Sequence, residues 1–386
     1  MVYVPSVPSK PYINPFLYVD HHFTLKKIYF TVTNDLSFDQ RMHRICSALA
    51  SHGYEVTLVG RKLPTSLPLK ERQFAQKRLP CFFKRGKAFY AEYNLRLFFF
   101  LLFRRMHIIC AIDLDTIVPC LLISKIKRAR RVYDAHELFT ELKEVVTRPR
   151  VHKMWTKIER WAVPQFKNGY TVCQSIAEEF QRRYGVQYDV IRNVPVKRAL
   201  TDAQLPPSPF LLYSGAVNEA RGFEYLIPAL KHIRLPLVVC GDGNFMPQLK
   251  KLITAHGVEE KVTLLGMLPP DQLWEITRQA TIGIGIAENE GLNQYYALPN
   301  KFFDYIQAGL PQVTMDFPEY RRVNNEYEIA VLIADLKTDT IAAALNNLQE
   351  DVVLYTKLKD NCLKAREVLN WEQESKKLLT FYETLS

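Results

Sequence analysis

From Lys26 to about residue 195, short runs that are apolar almost throughout alternate with longer segments whose apolar residues recur at helical spacing. "KIYFTVT" leads through the polar loop "NDLSFDQ" to "RMHRICSALASHG", whose apolar residues lie three and four apart, and then to "EVTLVG". The alternation continues with "IICAIDL", "RRVYDAHE", "GYTVCQS" and "YDVIRNV". Nearly continuous apolar strands separated by helices predict a parallel sheet covered on both faces. After the proline-rich "QLPPSPF" the pattern restarts, with strands "LLYSGAV", "PLVVCGDG", "KVTLLGM", "IGIGIA" and "PQVTMD" between amphipathic helices. The expected fold class is therefore α/β, with two Rossmann-like parallel-sheet domains over residues 1–200 and 209–365 and a hinge near "LPPSPF". Two such domains facing one another put the carboxyl ends of both sheets around a central cleft, where ligands bind in open α/β sheets. The final segment, 366–386, carries "LNWEQESKKLLTFYETL", apolar on one side and charged on the other, so it must pack on something.

With 386 residues, 48% of them hydrophobic, the chain can bury two cores. The longest apolar run, "LFFFLLF" at 97–103, is far short of the roughly 20 residues of a membrane span, and the N-terminus lacks a signal-peptide pattern. A cytoplasmic location follows as the expectation. Seven scattered cysteines without a CxxC pair read as buried thiols in a reducing compartment, no zinc site is visible, and His21 with His22 reads as a solvated pair. Charge separates the halves: residues 1–200 hold 34 Lys and Arg against 16 Asp and Glu, and the remainder 17 against 24. An excess of 18 positive charges serves nucleic acid, an anionic membrane surface or an anionic substrate. The segment "FFKRGKAFYAEYNLRLFFFLLFRR" at 82–105 interleaves Phe and Leu with Lys84, Arg85, Lys87, Arg96, Arg104 and Arg105. It fits a lipid interface with cations on anionic headgroups, and equally a core helix with a solvated basic face.

Three stretches carry candidate chemistry. In "ALPNKFFDYIQAGLP" (297–311) a helix with apolar Phe302, Phe303, Tyr305 and Ile306 opens after Pro299, with Asn300 placed to cap it and Lys301 beside the free first-turn amides. Those amides and the cation form a phosphate site, and Asp304, one turn in, suits a pair of ribose hydroxyls. A capped core helix with a snorkelling lysine has the same residues. In "YSGAVNEARGFEYL" a strand runs into Gly215 and Ala216, with Arg221 and Gly222 at the mouth of a helix, where a guanidinium fork meets phosphate oxygens. "VYDAHELFTE" ends a strand in Asp134, His136 and Glu137, polar groups facing the cleft; a His beside carboxylates orients hydroxyls or moves protons, while Asp134 could instead cap the next helix.

"NDLSFDQRMHRICSALASHGYEVTLVGR", "YDAHELFTE", "YSGAVNEARGFEYLIPAL", "VVCGDG", "VTLLGMLPPDQL" and "LPNKFFDYIQAGLP" stand in an order and spacing that resembles retaining GT-B glycosyltransferases of the family 4 type, from about residue 26 to the C-terminus. The resemblance implies that Arg221 and Lys301 hold the donor diphosphate. Ala216 stands where many members have arginine, so one phosphate contact is lost or supplied elsewhere. Asp304 fills the place of the ribose-binding glutamate. The donor-sugar glutamate has Glu290, Gly291, Leu292 and Asn293 as its best matches, in a loop longer than usual. His136 matches a position beside the donor sugar, Gly266 and Met267 lie where backbone holds the base, and the C-terminal helix is expected to cross back to the first domain.

These residues lead to a metal-independent transferase without a cofactor, moving a sugar from a nucleotide diphosphate sugar to a hydroxyl acceptor. The catalytic candidates are His136, Glu290, Arg221 and Lys301. The donor-binding candidates add Gly215, Gly266, Met267, Asn300 and Asp304 to the loop residues, while Asp134 and Glu137 lie on the acceptor side. The expected acceptor is a glycan or lipid-linked intermediate of surface polysaccharide assembly, met at the inner face of the cytoplasmic membrane. A nucleotide-sugar epimerase on the same fold is the enzymatic alternative. A basic nucleic-acid-binding protein is the alternative of another class, against which stands the lack of a zinc finger, basic helix or aromatic RNA-binding signature.

Overall fold

The computed structural model describes residues 25–200 and 208–385, apart from Phe38. The His21 and His22 pair and the first half of the "LPPSPF" hinge lie outside the described residues. Seven parallel strands form the first sheet: β1 (Lys27–Thr31), β2 (Glu55–Lys62), β3 (Ala75–Pro80), β4 (Ile108–Ile112), β5 (Arg130–Ala135), β6 (Asn168–Thr171) and β7 (Asp189–Val190), in the order β3-β2-β1-β4-β5-β6-β7. Six form the second: β8 (Leu211–Ser214), β9 (Leu237–Cys240), β10 (Val262–Gly266), β11 (Ile282–Gly285), β12 (Gln312–Met315) and β13 (Ala330–Ile333), in the order β10-β9-β8-β11-β12-β13. The order reverses at β1, flanked by β2 and β4, and at β8, flanked by β9 and β11. At such a switch point the loops diverge and leave a crevice.

Period-two alternation explains how one sheet serves two cores. Ile28, Phe30, Leu58 and Cys110 face one layer, closed by Met42, Ile45, Cys46 and Leu49 of the helix Gln40–Ser51. The helix Trp371–Thr384 completes that layer with Leu378, Phe381 and Tyr382, and so crosses back onto the first domain. Val59, Ile109, Ala111 and Tyr133 face the opposite layer, under the helices Gly86–Leu102, Ile117–Lys127 and Pro149–Ala162.

Two strands lie outside the set expected from the sequence. β3, "AQKRLP", is an edge strand whose polar residues are solvated on one side, as edges commonly are, and β13, "AVLI", is a short run among helices. The 82–105 segment combines both of its readings. Phe89, Tyr93, Leu97 and Leu101 recur every fourth residue and are buried, while Leu95, Phe99 and the flanking Phe82, Phe83 and Phe103 are exposed. No helix of the described residues is long and apolar enough to cross a membrane.

Candidate active site

The helix Asn300–Gln307 is placed by its buried apolar face, Phe302, Phe303, Tyr305 and Ile306. Its Tyr305 hydroxyl ties it to β8, donating to the Leu212 carbonyl at 3.0 Å and accepting from the Ser214 amide at 3.0 Å. The expectation that Asn300 caps this helix is corrected. Pro299 occupies the cap position with extended backbone, Asn300 is already helical, and no side chain caps the first turn. A cap oxygen comes from the residue before the first turn, and proline offers none. The Asn300 Oδ1 instead accepts from Asn193 Nδ2 of the first domain at 2.8 Å.

Lys301 is only 9% exposed, its Nζ makes no hydrogen bond, and it lies 3.6 Å from the centroid of the Tyr213 ring. Burial, reinforced by the positive charge of Arg221, pushes its pKa well below the usual lysine range. Arg221 is half-buried and has no hydrogen bond or ion pair among the described residues. Gly215, at φ +119°, follows β8, and a Cβ there would meet nothing within 4 Å. Behind that turn the chains are tight: a Cβ on Gly241 would lie 1.8 Å from the Gly215 carbonyl oxygen.

Beside the helix tip a cavity of about 360 Å³ runs between the domains. Ser214, Leu268, Leu273, Trp274 and Asp304 line it from the second domain, and Arg44, Asn193 and Arg198 from the first. Arg198 lies over the Trp274 ring at 5.5 Å. Burial pushes the Asp304 carboxyl up to about 6, although Arg44 and Arg198 pull it down. Gly266 ends β10 at φ +67° and Met267 is exposed; the cavity meets the following residue, Leu268.

On the first domain, Asp134 is fully buried and does not cap a helix. Its Oδ1 accepts from Arg41 at 3.0 Å, and its Oδ2 lies 3.2 Å from His136 Nε2. Burial alone would raise the Asp134 pKa, but Arg41 and His136 outweigh it and hold it below the usual carboxylate value. The His136 amide donates to Asp113 Oδ1 at 2.8 Å, and its ring Nδ1 stands 3.6 Å from Asp113. Burial disfavours the imidazolium, yet Asp134 and Asp113 raise His136 to about 9, so the ring is cationic near neutrality. In that state Nε2 faces Asp134 as a donor, and the 2.9 Å approach of Arg41 Nε to Nε2 becomes a hydrogen bond only on deprotonation. Glu137 is pushed to about 8 by burial and by Asp113, while an Asn293 hydrogen bond lowers it. His136, Asp35, Arg41, Arg44 and Leu298 line a second cavity of about 480 Å³, which shares Gln40, Arg44, Asn193 and Asn300 with the first, so the two are parts of one cleft.

The long loop after β11 divides the four residues grouped for the donor sugar. Asn293 Oδ1 accepts from the Leu138 amide at 2.9 Å, and Leu292 packs on the first domain's core. Gly291 takes φ +94° where its Cβ position lies 3.6 Å from the Glu141 carbonyl oxygen. Glu290 turns away to an exposed ion triad, in which Lys143 meets it at 2.7 Å and Glu219 at 3.1 Å. The structure adds Arg41, Arg44, Asn193, Arg198 and Trp274, which the sequence reading passed over. The first two had a signal: arginines at i and i+3 beside the apolar stripe of the helix Gln40–Ser51. The others come from loops and another domain and had none. Among the described residues no group of three or more His, Cys, Asp or Glu side chains could hold a metal ion.

Facing α/β domains of this kind, with switch points opposed across one cleft, make the GT-B fold, and this chain has it. It is glycosyltransferase family 4-like: residues 40–195 match the model described as Glycosyltransferase Family 4, and residues 202–365 that described as Glycosyl transferases group 1. Among curated proteins it is similar to alpha-D-kanosaminyltransferase of Streptomyces kanamyceticus, 24% identical over 163 residues, which is 41% of this chain and only 40% of that relative's length. Among solved structures, sucrose-phosphate synthase from Thermosynechococcus elongatus shares the fold at a TM-score of 0.75 and 16% identity, over 93% of this chain and 99% of that one. A glycosyltransferase from Rickettsia africae aligns at 0.73 and 12%, over 94% and 99%. Anabaena HepE in complex with UDP-glucose aligns at 0.71 and 13%, over 93% and 99%.

Proposed function

We propose that the protein transfers a sugar, with retention of configuration, from a nucleoside diphosphate sugar to a hydroxyl of a lipid-linked glycan acceptor in surface polysaccharide or lipid-linked glycan synthesis. One observation carries this reading: the buried, partnerless ammonium of Lys301 at the uncapped tip of the helix Asn300–Gln307, with Arg221 beside it. A cation taken out of water without a partner is costly until an anion arrives, and free first-turn amides favour the same anion. A diphosphate satisfies all three. Asp304 then accepts the ribose hydroxyls, and Trp274 with Leu268 and Leu273 walls the base. Arg44, supplied by the other domain, stands beside Asp304 at the ribose end. The UDP-glucose bound by the Anabaena relative makes that compound the first donor to try.

In the transfer, the bond from the anomeric carbon to the β-phosphate oxygen breaks while the acceptor oxygen bonds to the same face. The acceptor proton passes to the leaving phosphate. Lys301, Arg221 and the helix-tip amides stabilise the charge that develops on that phosphate, and cationic His136 orients sugar hydroxyls from the opposite wall. Incubation with UDP-glucose and a lipid-linked glycan acceptor, followed by NMR of the new linkage, tests the reading. An inverted anomer overturns retention, and an altered free nucleotide sugar formed without acceptor makes the protein an epimerase.

The working place is the anionic face of a membrane. Exposed Phe82, Phe83, Leu95, Phe99 and Phe103 stand among Lys84, Arg85, Lys87, Arg96, Arg104 and Arg105, which suits aromatic insertion with cations on headgroups. Purified protein is expected to sediment with phosphatidylglycerol vesicles at low salt, to leave them as salt rises, and to ignore phosphatidylcholine vesicles. Equal indifference to both refutes the membrane assignment.

A further inference from the structure

Arg41 is a buried cation of the cleft with no part in holding the donor. It stands in the first turn of the helix Gln40–Ser51, is only 5% exposed, and lines the cavity of about 480 Å³ together with His136. Its guanidinium meets three elements at once. Nη1 donates to the Ile191 carbonyl, just past β7, at 3.2 Å, Nη2 donates to Asp134 Oδ1, in β5, at 3.0 Å, and Nε points at His136 Nε2 from 2.9 Å. An ion pair that only supported the fold would use the second of these contacts and has no need of the third. Such a pair also adds little net stability when buried, because desolvation offsets the attraction. The Asp134 carboxylate is fully buried, and its Oδ2 has no other partner among the described residues but lies 3.2 Å from the same His136 nitrogen. Nε2 therefore has a donor and an acceptor in place together.

A titrating imidazole is hard to hold still. When Nε2 gives up its proton it no longer attracts a carboxylate, and its lone pair repels one. Here the same nitrogen then accepts from Arg41 Nε. The proton leaves to solvent, Nε2 changes from donor to acceptor, and the ring has no reason to rotate. Nδ1 is the nitrogen left for a ligand in both states, since Asp113 stands 3.6 Å from it, too far for a direct hydrogen bond. We propose that Arg41 is the positioning residue of His136, fixing the ring through Asp134 when it is charged and directly when it is neutral, so that Nδ1–H is the group offered to substrate in either state. The groups that face the ring are Asp134 in β5, Asp113 and Asp115 after β4, the adjoining Glu137, and Arg41, which among these is the sole cation. The consequence for turnover rests on the reading of His136 as the residue that orients sugar hydroxyls; the control of the ring does not.

The test is nitrogen-15 NMR of the full chain labelled at histidine, with the His136 signals identified by their loss in His136→Gln. Above pH 9, where the ring is neutral, the parent is expected to carry the proton on Nδ1, against the preference of free histidine for Nε2. Arg41→Met removes all three donors. Arg41→Lys keeps a charge for Asp134 without the fork, and serves if the methionine variant does not fold. Both are expected to shift the proton to Nε2 or to give a mixture, which loss of a purely structural ion pair would not do. With UDP-glucose and a lipid-linked acceptor, Arg41→Lys is expected to lower kcat about tenfold or more, the order of a misplaced catalytic group, and to leave the KM for UDP-glucose unchanged. Arg41→Lys combined with His136→Gln is expected to be no slower than His136→Gln alone. A parent with the proton on Nε2, a proton that stays on Nδ1 in the folded variants, or rate losses that add in the combined variant overturns the proposal. Absence of transfer by the parent, with the ring proton still governed by Arg41, removes the transferase reading and leaves the positioning role standing.

Discussion

Lys301→Met separates a ligand-binding lysine from a structural one, because the two roles predict opposite signs. In the unliganded protein the ammonium is buried, makes no hydrogen bond and has its pKa depressed by burial and by Arg221. Leaving such a group unsatisfied costs about 1–3 kcal/mol. The Tyr213 ring face at 3.6 Å offsets roughly 0.5–2 kcal/mol of that. Methionine keeps the aliphatic stem and removes the charge, so the variant without ligand is expected to be as stable as the parent or more stable in urea unfolding. With a nucleoside diphosphate present the sign reverses. One charge-assisted hydrogen bond is lost, about 1.5–3 kcal/mol, which is about a 10- to 150-fold weaker Kd for UDP. Proton traffic gives a second readout. A lysine with depressed pKa takes up a proton when a diphosphate arrives, so calorimetry above the free lysine's pKa, in buffers of different ionisation enthalpy, is expected to show proton uptake that the variant lacks. Lower stability with unchanged UDP affinity and unchanged proton uptake would refute the diphosphate role and leave Lys301 as a core residue.

Asp304 is pushed up to about 6, and only its ionised form accepts both ribose hydroxyls; nucleotide affinity is therefore expected to rise with pH through about 6 and to flatten in Asp304→Asn, and a titration series that stays flat in the parent contradicts the assignment. Turnover is expected to survive EDTA, because Arg221, Lys301 and backbone amides meet the diphosphate; activity that vanishes in the chelator and returns with manganese or magnesium speaks against this. Glu319 is fully buried and accepts from the Ser175 amide and hydroxyl of the other domain at 2.7 and 2.6 Å. Glu319→Ala is expected to cost about 1.5–3 kcal/mol in urea unfolding, as loss of a charged acceptor from buried donors does, and an unaltered transition would mean that water replaces it. His136, raised to about 9, is charged below that value, so its ion pair with Asp134 supports the fold fully at pH values below the ordinary 6.5 and fades as pH climbs through 9; His136→Gln is expected to remove that alkaline sensitivity from thermal melts.

The layers of this fold were legible because burial on both faces writes itself into sequence. β1, β4, β8 and β11 are short apolar runs between polar loops, and they are also the strands that create the switch points. The helix Asn300–Gln307 was legible for a related reason: Phe302, Phe303, Tyr305 and Ile306 force a buried helix, so a lysine at its start stands out. Partnership across the cleft was not legible. Asn300 looked like a cap because the sequence shows its neighbours along the chain and hides Asn193, which lies 107 positions away. Glu290 is chemically suited to a sugar, but Lys143, from a helical turn in the other domain, holds it at the rim. Asp134 has the composition of a helix cap, and Arg41, 93 positions earlier, makes it a buried ion pair.

Those long-range partners share a character that bears on how the enzyme works. The two domains have separate apolar cores, and across the cleft the contacts are mostly polar: Asn193 to Asn300, Leu138 to Asn293, Ser175 to Glu319 and Lys143 to Glu290. Polar contacts exchange with water at little net cost, as interfaces between movable domains require, whereas an apolar seam would lock. The proposed donor site needs such a seam, since Arg44 and Arg198 of the first domain complete the surroundings of Asp304 in the second. A nucleotide held by one domain alone would miss both arginines. On the proposed reading its full affinity is tied to closure of the two domains, with His136 over the bound sugar.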